Sequence, residues 1–285
     1  MVAVSSQIRI RSIDFDFDRG RGGLWNPRFP EVSHALNAFQ LALPYLEPYF
    51  IDAIKEAARD IADPRLRADA RAFCAQEANH ARQHARYNRV LRRRYPHVEI
   101  FERSIQRSLV RSRRRDSLAW RLSFTAACEA ITGELARFLF GHADEWFRDA
   151  DGHFAALMLW HAVEEIEHKA VAFDVLRAAG VPHRSRAPAL LSAVRQMLFD
   201  LDPIATYLLA VDGIGGTASQ LRRLAFRLQF SAAVGPRLLK YAAPGYNPSR
   251  DPDPPFAQEW MTAHARGMPL DVVDSANAAA FTTPR

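Results

Sequence analysis

Apolar residues recur at three- and four-residue spacing along most of the chain, a period that predicts helices rather than strands. The start is different. Between residues 8 and 17 the pattern alternates, with Ile8, Ile10, Ile13, Phe15 and Phe17 as its apolar positions, and reads as a strand-like or extended arm. Trp25, Pro27, Phe29 and Pro30 then predict a loop. A first helix is expected over 33–61, kinked or broken at Pro44 and Pro48. Asp63-Pro64 opens a second, with an acidic cap and proline at the first helical position; it runs to about Arg94 and ends before Pro96. A basic segment with a short helix near 98–111 leads to Asp116, read as the cap of a third helix over 117–143. The fourth is expected over 151–179, stopped by Gly180 and Pro182. Two more apolar helical stretches, 187–211 and 217–243, should pack around these four. From Pro244 the run GYNPSRDPDPPF reads as extended, and Asp274 to Arg285 as a tail.

The predicted fold is therefore all-α, in three parts. An extended arm covers 1–32; a helical domain covers 33–243, with its core at 33–179 and extra helices at 187–243; a proline-rich extension and tail cover 244–285. Composition agrees: 48% apolar and 25% charged residues exclude disorder and collagen-like repeats, and 13 glycines in 285 residues suit helices better than a turn-rich sandwich. Cys74 and Cys128 are too few for a disulfide scaffold or a thiolate cluster and read as small buried side chains. The first residues lack a charged region followed by an apolar run, so no secretory leader is expected. The most apolar stretch, 187–211, contains Arg195, Asp200, Asp202 and Pro203, which argues against a membrane span and for a soluble, cytoplasmic protein. The net charge of +6 gathers in arginines between Arg82 and Arg121. No nucleic-acid motif accompanies them, so they read as a solvated helix end and connection, and no nucleic-acid partner is expected.

Chemistry concentrates elsewhere. In WHAVEEIEHKAVAFDV, His161, Glu165 and His168 stand at i, i+4 and i+7 and share one helix face, which Leu157, Met158, Val171, Ala172 and Val175 continue as an apolar stripe. Ionisable groups on a buried face are costly unless something neutralises them, and a bound cation is the simplest remedy. Glu77 and His80 repeat the Glu-x-x-His spacing on the second helix. Glu47 on the first helix and Glu129 on the third sit among small or apolar residues, with Glu134 a competitor for Glu129. Glu47 and Glu77 are 30 positions apart and Glu129 and Glu165 are 36 apart, as two antiparallel helix pairs require, each giving one Glu and then one Glu-x-x-His. The candidate metal ligands are thus Glu47, Glu77, His80, Glu129, Glu165 and His168, with His161 as a seventh. Four glutamates cancel two divalent cations, and oxygen with imidazole donors suits iron, manganese or zinc. His84, one turn beyond His80, reads as a supporting or substrate contact. Glu164 and Glu167 read as surface charge or hydrogen-bond acceptors behind the ligands, and His34, His97, His183 and His264 as solvated. Tyr45, Phe50, Phe73, Phe124, Trp160 and Phe173 are candidates to line a substrate cavity, although core packing is their commoner use.

This ligand pattern, over roughly 33–179, resembles that of the ferritin-like carboxylate-bridged di-iron and di-manganese proteins, four-helix bundles with a dimetal core. The histidine at 161, one turn before the second Glu-x-x-His, is similar to the extra histidine of the di-iron arylamine N-oxygenases. The N-terminal arm, the WNP and FP stretch and the proline-rich segment resemble bacterial proteins described as predicted metal-dependent hydrolases. The first resemblance implies a ferritin-like four-helix bundle with two added helices, two iron ions, and a non-haem oxygenase or oxidase that uses dioxygen and an external electron donor on a small apolar or arylamine substrate. The last implies a hydrolase with a metal-bridging hydroxide. A non-catalytic ferritin-like metal-binding protein is the third reading. A monomer or a homodimer is expected, which with the aromatic-rich C-terminal extension argues against that third reading, since storage cages assemble from compact bundles.

Overall fold

Prolines and short polar side chains set where the helices begin. The structure is a computed structural model that describes residues 8–274. Helix α1 spans Pro30–Ala57 and α2 spans Pro64–Arg94; the Asp63 carboxylate accepts from the Arg65 N–H at 2.8 Å, as its capping role requires. Helix α1 is not broken by Pro44 and Pro48. An interior proline costs about 3 kcal/mol in lost backbone bonding, but Leu41, Leu43, Tyr49, Phe50 and Ile54 around these two are all buried, and that packing outweighs the local cost.

Helix α3, Val98–Arg115, runs four residues beyond the expected end, and Asp116 closes it rather than capping the next helix. Ser117 is the cap of α4, Leu118–Gly141, accepting from the Trp120 N–H. After the single turn α5, Ala143–Trp146, comes α6, Gly152–His168, whose first amides bond the Asp151 carboxylate. The expected helix over 151–179 is in fact two. It breaks at Lys169–Ala170, one step past His168, and resumes as α7, Val171–Ala178; Gly180, at φ +70°, ends it where a side chain would be strained. The Lys169 ammonium donates to the Asp251 carbonyl, tying this break to the proline-rich segment.

The stretch 187–211 is likewise divided, into α8, Arg186–Asp200, and α9, Asp202–Val211, because Pro203 opens a new helix. Helix α10 covers Gly216–Tyr241, and α11, Pro255–Ala265, starts in the last two residues of the run read as extended and continues through residues for which no element was expected.

Helices α1 and α2 pack along each other, α4 packs on α6 and α7, and α1 meets α4 between the pairs. Helices α8, α9 and α10 cover α1 and α4, and α11 lies on α6. No strand forms among the described residues. The described part of the arm is extended, with Asn79, Gln83 and Arg86 of α2 donating to its Arg11, Ile13 and Phe15 carbonyls, and its alternation starts later than expected: Arg11, Ile13, Phe15 and Phe17 point inward while Ile10 is 58% exposed. No described helix is long and apolar enough to cross a membrane. In the arginine-rich stretch, Arg92 pairs with Glu102, Arg94 with Asp212, and Arg113 and Arg121 with Asp52, so part of that charge braces α1, α2 and α3.

Candidate metal centre

The helix faces identified by spacing do converge. Glu47 from α1, Glu77 and His80 from α2, Glu129 from α4, and His161, Glu165 and His168 from α6 are all buried, none more than 4% exposed. Glu77, Glu129, Glu165 and His168 offer donor atoms within 4.8 Å of one another; so do Glu47, Glu77 and His80, and His80, His161 and Glu165. The His168 Nε2 lies 3.2 Å from Glu129, 3.4 Å from Glu77 and 3.5 Å from Glu165. Two donors each about 2.1 Å from one ion stand about 3 Å apart at right angles, so these separations suit a shared cation. Glu134, the competitor for Glu129, instead pairs with Arg137 and Arg237.

Polar atoms left without partners mark the centre. Both Glu47 oxygens, one oxygen each of Glu77 and Glu129, the His80 Nδ1 and the His168 Nε2 are buried with no hydrogen bond. Buried carboxylates in that condition cost several kcal/mol each, and a pair of divalent cations would satisfy all of them at once. The residues present therefore fit a dimetal group.

Hydrogen bonds behind the ligands fix how each imidazole faces the centre. Gln76 donates through its amide nitrogen to the Arg9 carbonyl and to Glu167, so its Oε1 must accept from His168 Nδ1–H at 2.9 Å. Neutral His168 then turns a lone pair on Nε2 inward. His80 Nε2–H donates to Glu164 at 3.0 Å, leaving Nδ1 to face Glu77 at 3.4 Å. Gln40 donates to Asn88, so its oxygen accepts from His84 Nδ1–H; the His84 Nε2 accepts in turn from His161 Nδ1–H. That chain strips the His161 Nε2 of its proton at 2.9 Å from a Glu165 oxygen. Two acceptors so close need a cation or an added proton between them.

Electrostatics tell the same story. Burial, with the Glu77 carboxylate nearby, holds Glu47 well above the usual carboxylate range, and burial with Glu165 lifts Glu129 to about 8. Burial disfavours charge on His80 and His168 also, yet the surrounding carboxylates raise both imidazoles well above their ordinary value. Glu165 is held well below it by His168 and His161 despite its burial. Burial and the neighbouring imidazoles lower His84 and His161. Without a cation, protons supply the missing positive charge.

Other residues behave differently from their sequence reading. Glu164 is fully buried and is the acceptor behind His80, so the surface-charge reading does not apply to it. His34 is also fully buried, bonded to Asp212, whereas His97 and His183 are exposed and His264 is partly covered on Trp260. Trp160 packs edge-on against His80 and Phe73 edge-on against His168, forming walls of the centre. Tyr45 bonds Glu102 and Phe124 packs edge-on against Tyr49, whereas Phe173 lines a small pocket together with Glu129.

Arg11 went unrecognised in the sequence. Its side chain is 3% exposed; one nitrogen donates to Glu164 at 3.1 Å and to Glu167 at 2.8 Å, and the other donates to Glu167. Trp260 of α11 covers its guanidinium. Arg11 thus anchors the acceptors behind both Glu-x-x-His histidines, through Glu164 for His80 and through Glu167 and Gln76 for His168. The only sequence signal was an arginine at an inward position of an alternating arm, and nothing in the arm's own pattern names its partners.

No curated protein and no solved structure matches this chain. One family model does, over residues 9–251, a span that holds most of the arm, every candidate ligand and helices α1 to α10. The chain belongs to the family described as predicted metal-dependent hydrolases.

Proposed function

We propose that the chain is a dimetal enzyme whose reaction is hydrolysis, with Glu47, Glu77, His80, Glu129, Glu165 and His168 holding the metals and His161 adding a seventh donor. The observation that carries it is the set of buried, unpartnered donor atoms shared among four helices, in a family described by metal-dependent hydrolysis. Bound metals supply Lewis acidity and a water acidic enough to serve as nucleophile near neutral pH, or, if iron, a site for reducing dioxygen. The chain's own residues orient and insulate. Glu164 and Gln76 hold two imidazoles by their outer nitrogens, the Thr132 hydroxyl donates to Glu165, and Trp160 and Phe73 keep bulk water from the ligands.

A second reading, oxidation of an apolar substrate by dioxygen at a di-iron centre, is favoured by the donor set itself. Four carboxylates with three imidazoles, all buried, suit metals that change charge. That reaction needs two electrons from an external reductant, and it returns one oxygen atom to the substrate and one to water.

The two readings separate cleanly. Protein loaded anaerobically with iron, manganese or zinc is offered chromogenic acyl esters and amides, and then, with iron and a chemical reductant, dioxygen. Metal-dependent cleavage without oxygen supports hydrolysis. Iron-dependent oxygen uptake with no cleavage replaces it with oxidation.

A further inference from the structure

Beside the centre, under α8, α9 and α10, lies an open apolar groove of about 620 Å³, within the ~300–1,000 Å³ of small-molecule sites. Its lips are Leu191, Leu198 and Leu239, at 71%, 51% and 76% exposure. Its inner wall includes Phe39 and Leu135, and the far side of those same two residues bounds a small void against Thr132, His161 and Glu165. Two side chains therefore separate the groove from two candidate ligands. Charge gathers on a few lining residues: Glu31, Asp202, Arg223 and Arg227. Arg223 and Arg227 both donate to Asp202, and Arg222 pairs with Glu31, so three guanidiniums share two carboxylates. Along α10, Arg227 and Leu239 are 12 residues apart, about 18 Å of helix.

We propose that this groove is the substrate channel of the metal centre and takes a single-chain anionic amphiphile of the fatty-acid class. Its carboxylate meets the surplus guanidinium at Arg223 and Arg227, and its chain lies along α10 over Phe39. The volume, the apolar walls, the one positive surplus and the shared wall with His161 and Glu165 each select this occupant. A chain anchored this way presents its methylenes to the Phe39 wall, and methylenes carry no bond that water can cleave. The channel's role as a substrate site therefore rests on the second reading, oxidation, in which dioxygen with two electrons and two protons gives one oxygen atom to the chain and one to water; the binding itself rests on neither reading.

The test uses the whole chain, metal-free, with dodecanoate titrated by calorimetry against hexanoate and dodecanol. Saturable binding of one dodecanoate per chain is expected, at least tenfold tighter than hexanoate. Leu239→Glu, at an exposed lip where folding should be undisturbed, is expected to weaken dodecanoate at least tenfold. Arg227→Ala is expected to bring dodecanoate close to dodecanol. Binding that Leu239→Glu leaves unchanged overturns the proposal. So does a wild-type dimer that Leu239→Glu dissociates and that binds no dodecanoate, which makes the groove an interface between copies. Co-sedimentation with phosphatidylglycerol vesicles without binding of free dodecanoate also overturns it. Since no metal is present, failure of the metal centre produces none of these results.

Discussion

The two halves of the centre share one motif and differ in what surrounds it. Helices α1 and α2 bring Glu47, Glu77 and His80; α4 and α6 bring Glu129, Glu165 and His168. Yet Glu47 has two bare oxygens where Glu129 has one. Glu165 accepts from Thr132 and faces His161, which His84 orients from α2, and Glu77 has no counterpart to either. His80 turns Nδ1 inward and His168 turns Nε2. A repeated ligand motif therefore does not make equivalent metal positions, and each difference can be tested separately.

The largest effect is expected at Glu47, the carboxylate with least support from the protein. Glu47→Leu should remove bound metal and yet make the metal-free protein more stable, by about 1–3 kcal/mol, because a buried carboxyl with no hydrogen-bond partner is replaced by an apolar group. Metal analysis and thermal unfolding after chelation check both halves of that statement; a destabilised metal-free variant would contradict it. Next is Arg11, which serves both halves. Arg11→Ala should weaken metal binding about 10–100-fold, read by chelator competition, as loss of a group that orients ligands typically does. Unchanged affinity with only a lower melting temperature would reduce Arg11 to a fold contact. His84→Ala should weaken the metal that His161 serves more than the other, and at the lower end of that range, since the candidate ligand that His84 hydrogen-bonds is His161, although its ring also lies in one donor group with Glu47. An equal loss at both metals would erase the proposed asymmetry.

The smallest effect is in pH. Glu129, Glu47, His80 and His168 all have folded values raised above their ordinary ones, Glu129 to about 8. These four groups thus bind more protons in the folded metal-free protein than in the unfolded chain, and the stability this gives is full below the ordinary values and lost as pH rises through the raised ones; His84 and His161, shifted downward, act in the opposite sense and offset part of it. Glu165, shifted downward, loses its contribution only below the ordinary carboxylate range. The melting temperature of the metal-free protein should fall between about pH 5 and pH 8. In the metal-loaded protein the cations replace those protons, and the fall should vanish.

What the chain revealed in advance depended on range. Glu-x-x-His is legible because three residues span nearly one turn, so a local count places both side chains on one face. The starts at Asp63-Pro64 and the stop at Gly180 are local as well. The unbroken path through Pro44 and Pro48 was not legible, because burial contributed by other helices decides it. The break at Lys169–Ala170 likewise coincides with a tie to Asp251, far along the chain. Helix α11 was hidden by the prolines before it, which mark extended chain and helix starts alike. His34 and Arg11 were missed for a shared reason. Each is a charged-type residue whose burial is made acceptable by partners more than 150 positions away, Asp212 for one and Glu164 and Glu167 for the other.

The central claim is that four helices hold two metal ions. Metal content of the purified wild type and of a Glu77→Ala, Glu165→Ala double variant, by plasma emission spectroscopy, tests it most directly. The account predicts close to two ions per chain in the wild type and none in the variant, with iron or manganese pointing to redox chemistry and zinc to hydrolysis. Absence of stoichiometric metal from wild-type protein prepared under metal-replete, reducing conditions would contradict it.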